Sequence, residues 1–354
     1  MIPYSPMPES PSSTPTALFW SYDRQVPSFR LRLEPVIEEL RRRGWRCETE
    51  ILPRGRYLRR IVERRAALKA ADLLVIAKLN LAPGEGPLLR RWARRVAFDF
   101  DDAIYLRKPK RIGQAPDRSW MRRHKFLTTC RAADLILAGN RELARATGAA
   151  AERLAITPTA VEVTRYPSKA PPNRQPRTLV WIGLPENLLY LEPFRPVFER
   201  LAREMPDVKL RIVSSEAPSW PEVPIEFVPW SLEGEVEALT TAGVGLMPLA
   251  DDAWTRGKCA FKLLQYMAAG LPCVASPVGA NLEVVVPGKT GYLPRTSEEW
   301  WFALKTLLDD RAHAQVLGWT GRRQVESRYD RERIAPRAAD RLEALVSPTF
   351  SPTS

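Results

Sequence analysis

Lys258 and Lys262 stand four positions apart where the loop WTRGKC runs into KCAFKLLQYMAAG, an apolar stretch that stops at Gly270. Phe261, Leu264, Met267 and Ala268 recur at helical spacing, so the stretch reads as a helix with Gly270 as its terminating residue. Both lysines then fall at its N-terminus. That end of a helix already presents free N–H groups and partial positive charge, so cations there are unfavourable unless an anion compensates them. A diphosphate fits best; the alternative is a pair of ammonium groups solvated on an exposed turn.

FDFDDAIY supplies a second candidate set, Asp99, Asp101 and Asp102, at the end of a buried strand. Carboxylates in such a place are costly unless they bind, cap or catalyse. Asp101 and Asp102 read either as base or hydroxyl-orienting groups or as a helix N-cap. Lys78 closes another buried run, DLLVIAK, and Arg30 and Arg32 lie in PSFRLR on the first expected helix. These arginines either read an anionic acceptor or face solvent.

The elements that must position these residues alternate. ALFWSY, WRCETEIL, DLLVIAK, RRVAFDF and AADLILAGN read as strands separated by helical segments, the first from Phe29 to Arg43 with a stop at Gly44. Continuous apolar runs such as DLLVIAK suit a parallel sheet buried on both faces. YPSKAPPNRQPRT then reads as a linker, after which LVWIG, VKLRIVSS, IEFVPW, GVGLMPL and PCVAS repeat the pattern. The expected architecture is α/β, with two doubly wound Rossmann-like domains facing a cleft. The expected boundaries are a disordered arm (1–16), a first domain (17–166), a linker (167–178), a second domain (179–346) whose last helix crosses back to the first, and a tail (347–354). Ligands are expected outside the carboxyl ends of the strands, which directs Lys78, Arg30 and Arg32 towards the cleft.

Composition narrows the classes. The 354 residues are 45% hydrophobic, enough for about two cores. The four cysteines and two histidines lack metal-like spacing, which argues for a reducing, cytoplasmic setting and against a metal site. MIPYSPMPESPSSTPT lacks the features of a signal peptide, and no run approaches a membrane span. Residues 1–170 carry 33 Lys and Arg against 18 Asp and Glu, whereas residues 171–354 carry 21 against 23. The basic half reads as solvated helix faces, or as a surface for an anionic membrane to which attachment would be peripheral. No zinc finger, aromatic RNA-binding run or helix-turn-helix accompanies the arginines, so a nucleic-acid partner is not expected and a basic nucleic-acid-binding module stands as the lesser alternative.

GKCAFKLLQYMAAGLPCVASPVGANLEVV, continued by PGKTGYLP, resembles the donor-binding signature of the group 1, family 4 glycosyltransferases of the GT-B architecture, and looser likeness extends over most of the chain. The resemblance implies a nucleotide-diphosphate sugar as co-substrate, no other cofactor, and transfer to a glycan or lipid-linked acceptor of the kind used in cell-envelope assembly. It implies that Lys262 contacts the donor diphosphate, with Lys258 or Arg256 as a second cation. It places Gln265 where the family has a glutamate on the ribose, and Gly257 where another glutamate touches the sugar. Both glutamates are therefore absent, which raises the alternative of a non-catalytic sugar-nucleotide-binding protein. Gly279, Ala280 and Asn281, with Glu283 nearby, resemble the loop completing the phosphate and ribose site; Gly183 permits close backbone approach, and Val228, Pro229 and Trp230 lie where the base is expected. The implied reaction retains configuration and needs no metal. The spacing of Asp99 and Asp101 also occurs in a metal-diphosphate motif of the other glycosyltransferase architecture, but here the cationic site lies in the second half.

Overall fold

The structure, a computed structural model, describes residues 14–53, 55, 57–114 and 119–347. Apart from residues 14–16 and 347, the expected arm and tail lie outside the described residues. Among the described residues twelve strands form two sheets. The first holds β1 (Thr16–Ser21), β2 (Arg46–Ile51), β3 (Leu73–Ala77), β4 (Val96–Phe100), β5 (Leu135–Ala138) and β6 (Leu154–Ile156), in the order β2-β1-β3-β4-β5-β6. The second holds β7 (Thr178–Ile182), β8 (Lys209–Ser214), β9 (Ile225–Pro229), β10 (Val244–Met247), β11 (Cys273–Ala275) and β12 (Gly291–Tyr292), in the order β12-β11-β10-β7-β8-β9. Every pairing is parallel.

The strand order reverses beside β1 and β3 in the first sheet, and beside β7 and β10 in the second. Such switch points splay the following loops apart and open a crevice at the strands' carboxyl ends. Ser28 and Lys78 follow β1 and β3; Gly183 and the 248–260 loop follow β7 and β10. β3 and β4 are buried at every position, as strands covered on both faces by helices must be.

The expected helix from Phe29 to Arg43 is divided. Residues Phe29–Leu33 form a wider π-type turn in which the Glu34 N–H donates to the Phe29 carbonyl, and the α-helix runs over Glu34–Arg42. Pro35 has no N–H to donate, so regular bonding cannot run through this point. The helix Phe261–Ala268 begins later than the apolar pattern suggests, after Ala260 at φ 54°, and Lys258 lies in the preceding turn. Gly270, at φ 69°, ends it.

The chain passes between its halves twice. After the helix Arg311–Arg328, Val161 accepts from Arg331 N–H and donates to the Tyr329 carbonyl, joining the two crossings. The final helix, Arg331–Val346, then lies on the first half: Ala335, Ala338, Ala339, Leu342 and Leu345 pack with Ala17, Phe19, Val36 and Leu40. Arg43 pairs with Asp340 at 2.7 Å and Glu343 at 2.6 Å, and the Trp45 indole donates to Glu343 at 2.9 Å.

Candidate active site

Lys262, in the first turn of its helix, places its ammonium 4.1 Å from the centroid of the Trp181 ring at the end of β7. Lys258 sits 5.8 Å from the Tyr190 ring. Lys108, on the loop after β4, reaches across from the first half and donates to the Glu186 carbonyl at 3.2 Å. Among the described residues none of these three ammonium groups meets a carboxylate in an ion pair. Burial, then Lys258 and Lys108, push the Lys262 pKa well below its ordinary value. Burial also lowers Lys258, with Asp102 and Asp252 opposing, and lowers Lys108, with Lys258 adding to the effect. Three partly buried cations that repel one another suit a polyanion.

Close approach is built around them. Gly183 stands where a Cβ would come within 2.5 Å of the Lys262 Nζ. Gly279, at φ 52°, lies against the backbone of Arg256, where a Cβ would meet the Arg256 carbonyl at 2.5 Å. Asn281 differs from the expectation: its amide donates to Val278 at 3.1 Å and its side chain to the Ser276 carbonyl at 2.9 Å, so it fixes the turn. Gly279 and Ala280 keep the amides that this turn offers to a ligand. Arg256 is exposed and bound bidentately to Asp251 at 2.6 and 3.1 Å, which leaves Lys258 as the free second cation on this loop.

Gln265 is buried one turn beyond Lys262, beside Tyr166. Glu283 is partly exposed and lies 3.8 Å from Arg141 of the first half. Val228 is half-buried near the end of β9, and Trp230, exposed just beyond it, is pinned by Glu235 at 3.0 Å. Gly257 is buried against the first half: a Cβ there would lie 2.8 Å from the Ala103 Cβ and 3.1 Å from Leu143. The backbone alone can face a sugar at this position.

The acidic set divides. Asp99 is bound by Arg32 at 2.5 and 3.1 Å, and Arg32 also donates to the Thr157 carbonyl at 2.6 Å. Arg32 is therefore not an acceptor-reading residue; it is a buried tie between the first helix, β4 and the segment after β6. Arg30 lines a separate groove with Arg24, Phe29, Arg41 and Thr49, away from Lys78 and Asp102. Lys78, at φ 54°, pairs with Asp101 at 2.9 Å and Asp102 at 2.5 Å and donates to Ser28 at 2.9 Å. Neither aspartate caps a helix. Burial raises the Asp101 pKa, but Lys78 and Arg32 outweigh it and hold the carboxyl below its usual range. Asp101 therefore stays ionised and positions Lys78. Asp102, more exposed, lines a cavity of 540 Å³ together with Lys78, Asn80 and Trp254.

Sequence reading missed Lys108, Ser28 and Asn140. Lys108 is hidden within the basic run RKPKR, which reads as a solvated face. Asn140, after β5, donates to the Lys258 carbonyl at 3.0 Å and so holds the lysine-bearing loop against the first half.

Residues 176–310 match the family profile described as glycosyl transferases group 1. That match spans the sheet β7–β12 and the lysine-bearing loop, under half of the chain. No curated protein matches. Solved structures resemble the whole chain: HepE of Anabaena in complex with UDP (TM-score 0.67, 13% identity, 94% of this chain and 100% of that one); sucrose-phosphate synthase of Thermosynechococcus elongatus (TM-score 0.67, 16%, 94% and 99%); and a glycosyltransferase of Rickettsia africae (TM-score 0.71, 10%, 95% and 100%). At these identities the likeness is one of fold, the two-sheet GT-B arrangement of glycosyltransferases. Within that group 1 profile lie Gly183, Lys258, Lys262, Gln265 and Gly279; Lys108 lies outside it.

Proposed function

We propose that this chain transfers a sugar from a nucleoside-diphosphate sugar to an acceptor hydroxyl, with retention of configuration and without a metal ion. The observation that carries the reading is the convergence of Lys108, Lys258 and Lys262, unmatched by a carboxylate among the described residues, beside the close approach at Gly183. HepE, of the same fold, has been crystallised with UDP and with UDP-glucose, which supports a uridine donor as the first to test. The glycosidic C1–O bond breaks with its electron pair passing to the diphosphate oxygen, where the lysines and the Gly279 turn stabilise developing charge. The acceptor oxygen bonds to C1 on the same face, and its proton passes to the departing phosphate. Gln265 and Glu283 are suited to the ribose hydroxyls, and Val228 and Trp230 to the base. Asp102, braced by Lys78, orients the acceptor hydroxyl.

Calorimetric titration with UDP tests the donor site. Lys262→Ala should weaken binding by about 2 kcal/mol, roughly thirtyfold, and Lys108→Ala by a smaller factor. Unchanged affinity in folded variants would remove the site. Donor turnover separates an enzyme from a binding protein, and transfer that persists in EDTA supports metal independence; loss restored by a divalent ion overturns it.

The acceptor is a glycan or lipid-linked saccharide, presented at an anionic membrane surface in the cytoplasm. No helix among the described residues is long and apolar enough to cross a membrane. Support for surface docking is Trp120, 71% exposed, and Met121, beside Arg122 and Arg123 at the start of the helix Trp120–Ala132. Binding to anionic vesicles that fades with salt, and with Trp120→Ala, is the expected result.

A further inference from the structure

We propose that the 540 Å³ cavity above β3 and β4 binds an acceptor that carries an anionic group, a phosphate ester or a carboxylate, beside the hydroxyl to be glycosylated. The proposal rests on the transferase reading and names its substrate class.

The cavity has two kinds of lining. Around Lys78 and Asp102 it is polar and unfinished. The Asn80 Oδ1 and the Trp254 Nε1 are both buried and both lack a hydrogen-bond partner among the described residues, although Asn80 donates from its nitrogen to the Ile104 carbonyl at 3.2 Å. Both residues line the cavity, and a small rotation of either side chain turns the unpaired atom towards a polyhydroxylated ligand, which then supplies the missing hydrogen bond. Trp254 comes from the second half, so the cavity is completed only where the two halves meet. Its indole also offers a flat apolar face for a sugar ring.

The outer wall is cationic. Arg122 and Lys125 stand three positions apart on one face of the helix Trp120–Ala132. The first turn of that helix carries no acidic residue, so its positive end and its side chains repel one another. Lys78 is already satisfied by Asp101 and Asp102, but Arg122 and Lys125 meet no carboxylate among the described residues. Arg122 donates only a long bond, 3.4 Å, to the Leu106 carbonyl. A ligand with hydroxyls at Asn80 and Trp254 and a negative group at Arg122 and Lys125 satisfies both linings at once. A neutral saccharide satisfies one.

The test uses the full chain with UDP at saturation, so that the donor lysines are occupied. Glucose, glucose 6-phosphate and glucuronic acid are titrated separately by calorimetry. One or both anionic probes should bind at least about tenfold more tightly than glucose, and the better one reports whether phosphate or carboxylate is read. Arg122→Ala and Lys125→Ala should each reduce that affinity by roughly tenfold, with Arg122→Lys recovering part of it. Both side chains lie on an accessible helix face, and unchanged thermal melting verifies folding. Equal binding of glucose, indifference to both substitutions, or no binding of either anion at millimolar concentration overturns the proposal. Failure of UDP itself to bind the unaltered protein overturns the donor reading instead, and the cavity is then titrated without it.

Discussion

The Asn140 side chain of the first half donates to the Lys258 carbonyl of the second at 3.0 Å. The same side chain caps the helix Arg141–Thr147 by accepting from Leu143 at 2.8 Å. Asn140→Asp keeps an acceptor for the cap but replaces the donor with an anion facing carbonyl oxygens. The lysine loop should loosen while the helix persists. We expect UDP affinity to fall by about tenfold, a loss of one charge-free hydrogen bond plus repulsion, with little change in melting temperature. Retained affinity would show that the loop needs no anchor.

The depressed lysines set a pH dependence. In the unliganded protein Lys262 titrates well below the ordinary lysine value of 10.5, with Lys258 and Lys108 also lowered. A bound diphosphate raises these values, so binding takes up protons. Affinity is complete below the unliganded pKa and declines as pH rises through it, by up to about tenfold per pH unit for each lysine. Titrations in buffers of different ionisation enthalpy should reveal proton uptake. A flat affinity between about pH 7 and 10 would contradict this.

Arg32 and Asp99 form a buried pair with no solvent to replace either partner. Arg32→Ala leaves a carboxylate unpaired in the core and should cost about 3–5 kcal/mol in urea unfolding. Replacing both, as Arg32→Met with Asp99→Leu, should recover much of that loss because no charge remains stranded. A cost below about 1 kcal/mol for the single variant would mean that the pair is not under such constraint.

The sequence resemblance puts Gly257 at a position where a glutamate is expected, which suggests restoring one. The geometry opposes it: Ala103 and Leu143 occupy the direction a side chain would take. Gly257→Glu should lower both the melting temperature and UDP affinity by pushing the loop off the first half. A more active variant would show that the loop has room to rearrange.

Sheets and their strands were legible because buried parallel strands are continuous apolar runs, as in LLVIA and LVWI. The place of Lys262 in the first turn of its helix was legible from the apolar spacing behind it, whereas Lys258 lies in the turn before that helix. The division of the first helix was less so, since it depends on Pro35 and on Arg32 turning inward to Asp99. Arg32 itself looks no different from the solvated arginines around it; only the buried aspartate in VAFDF, 67 positions away, gives it a partner. Lys108 and Asn140 act across the cleft, and contacts made between halves leave no periodicity in either one.

The final helix packs with Phe19 of the first sheet and with Val36 and Leu40 of the helix Glu34–Arg42, yet it is the last described segment of the chain. Synthesis proceeds from the N-terminus, and domains commonly fold as they emerge. Here the half made first is finished last. The second half can close its core while the Phe19, Val36 and Leu40 face still waits for Ala338 and Leu342. A stop codon after the helix Arg311–Arg328 would therefore spare the matched glycosyltransferase segment and leave the opposite half incomplete.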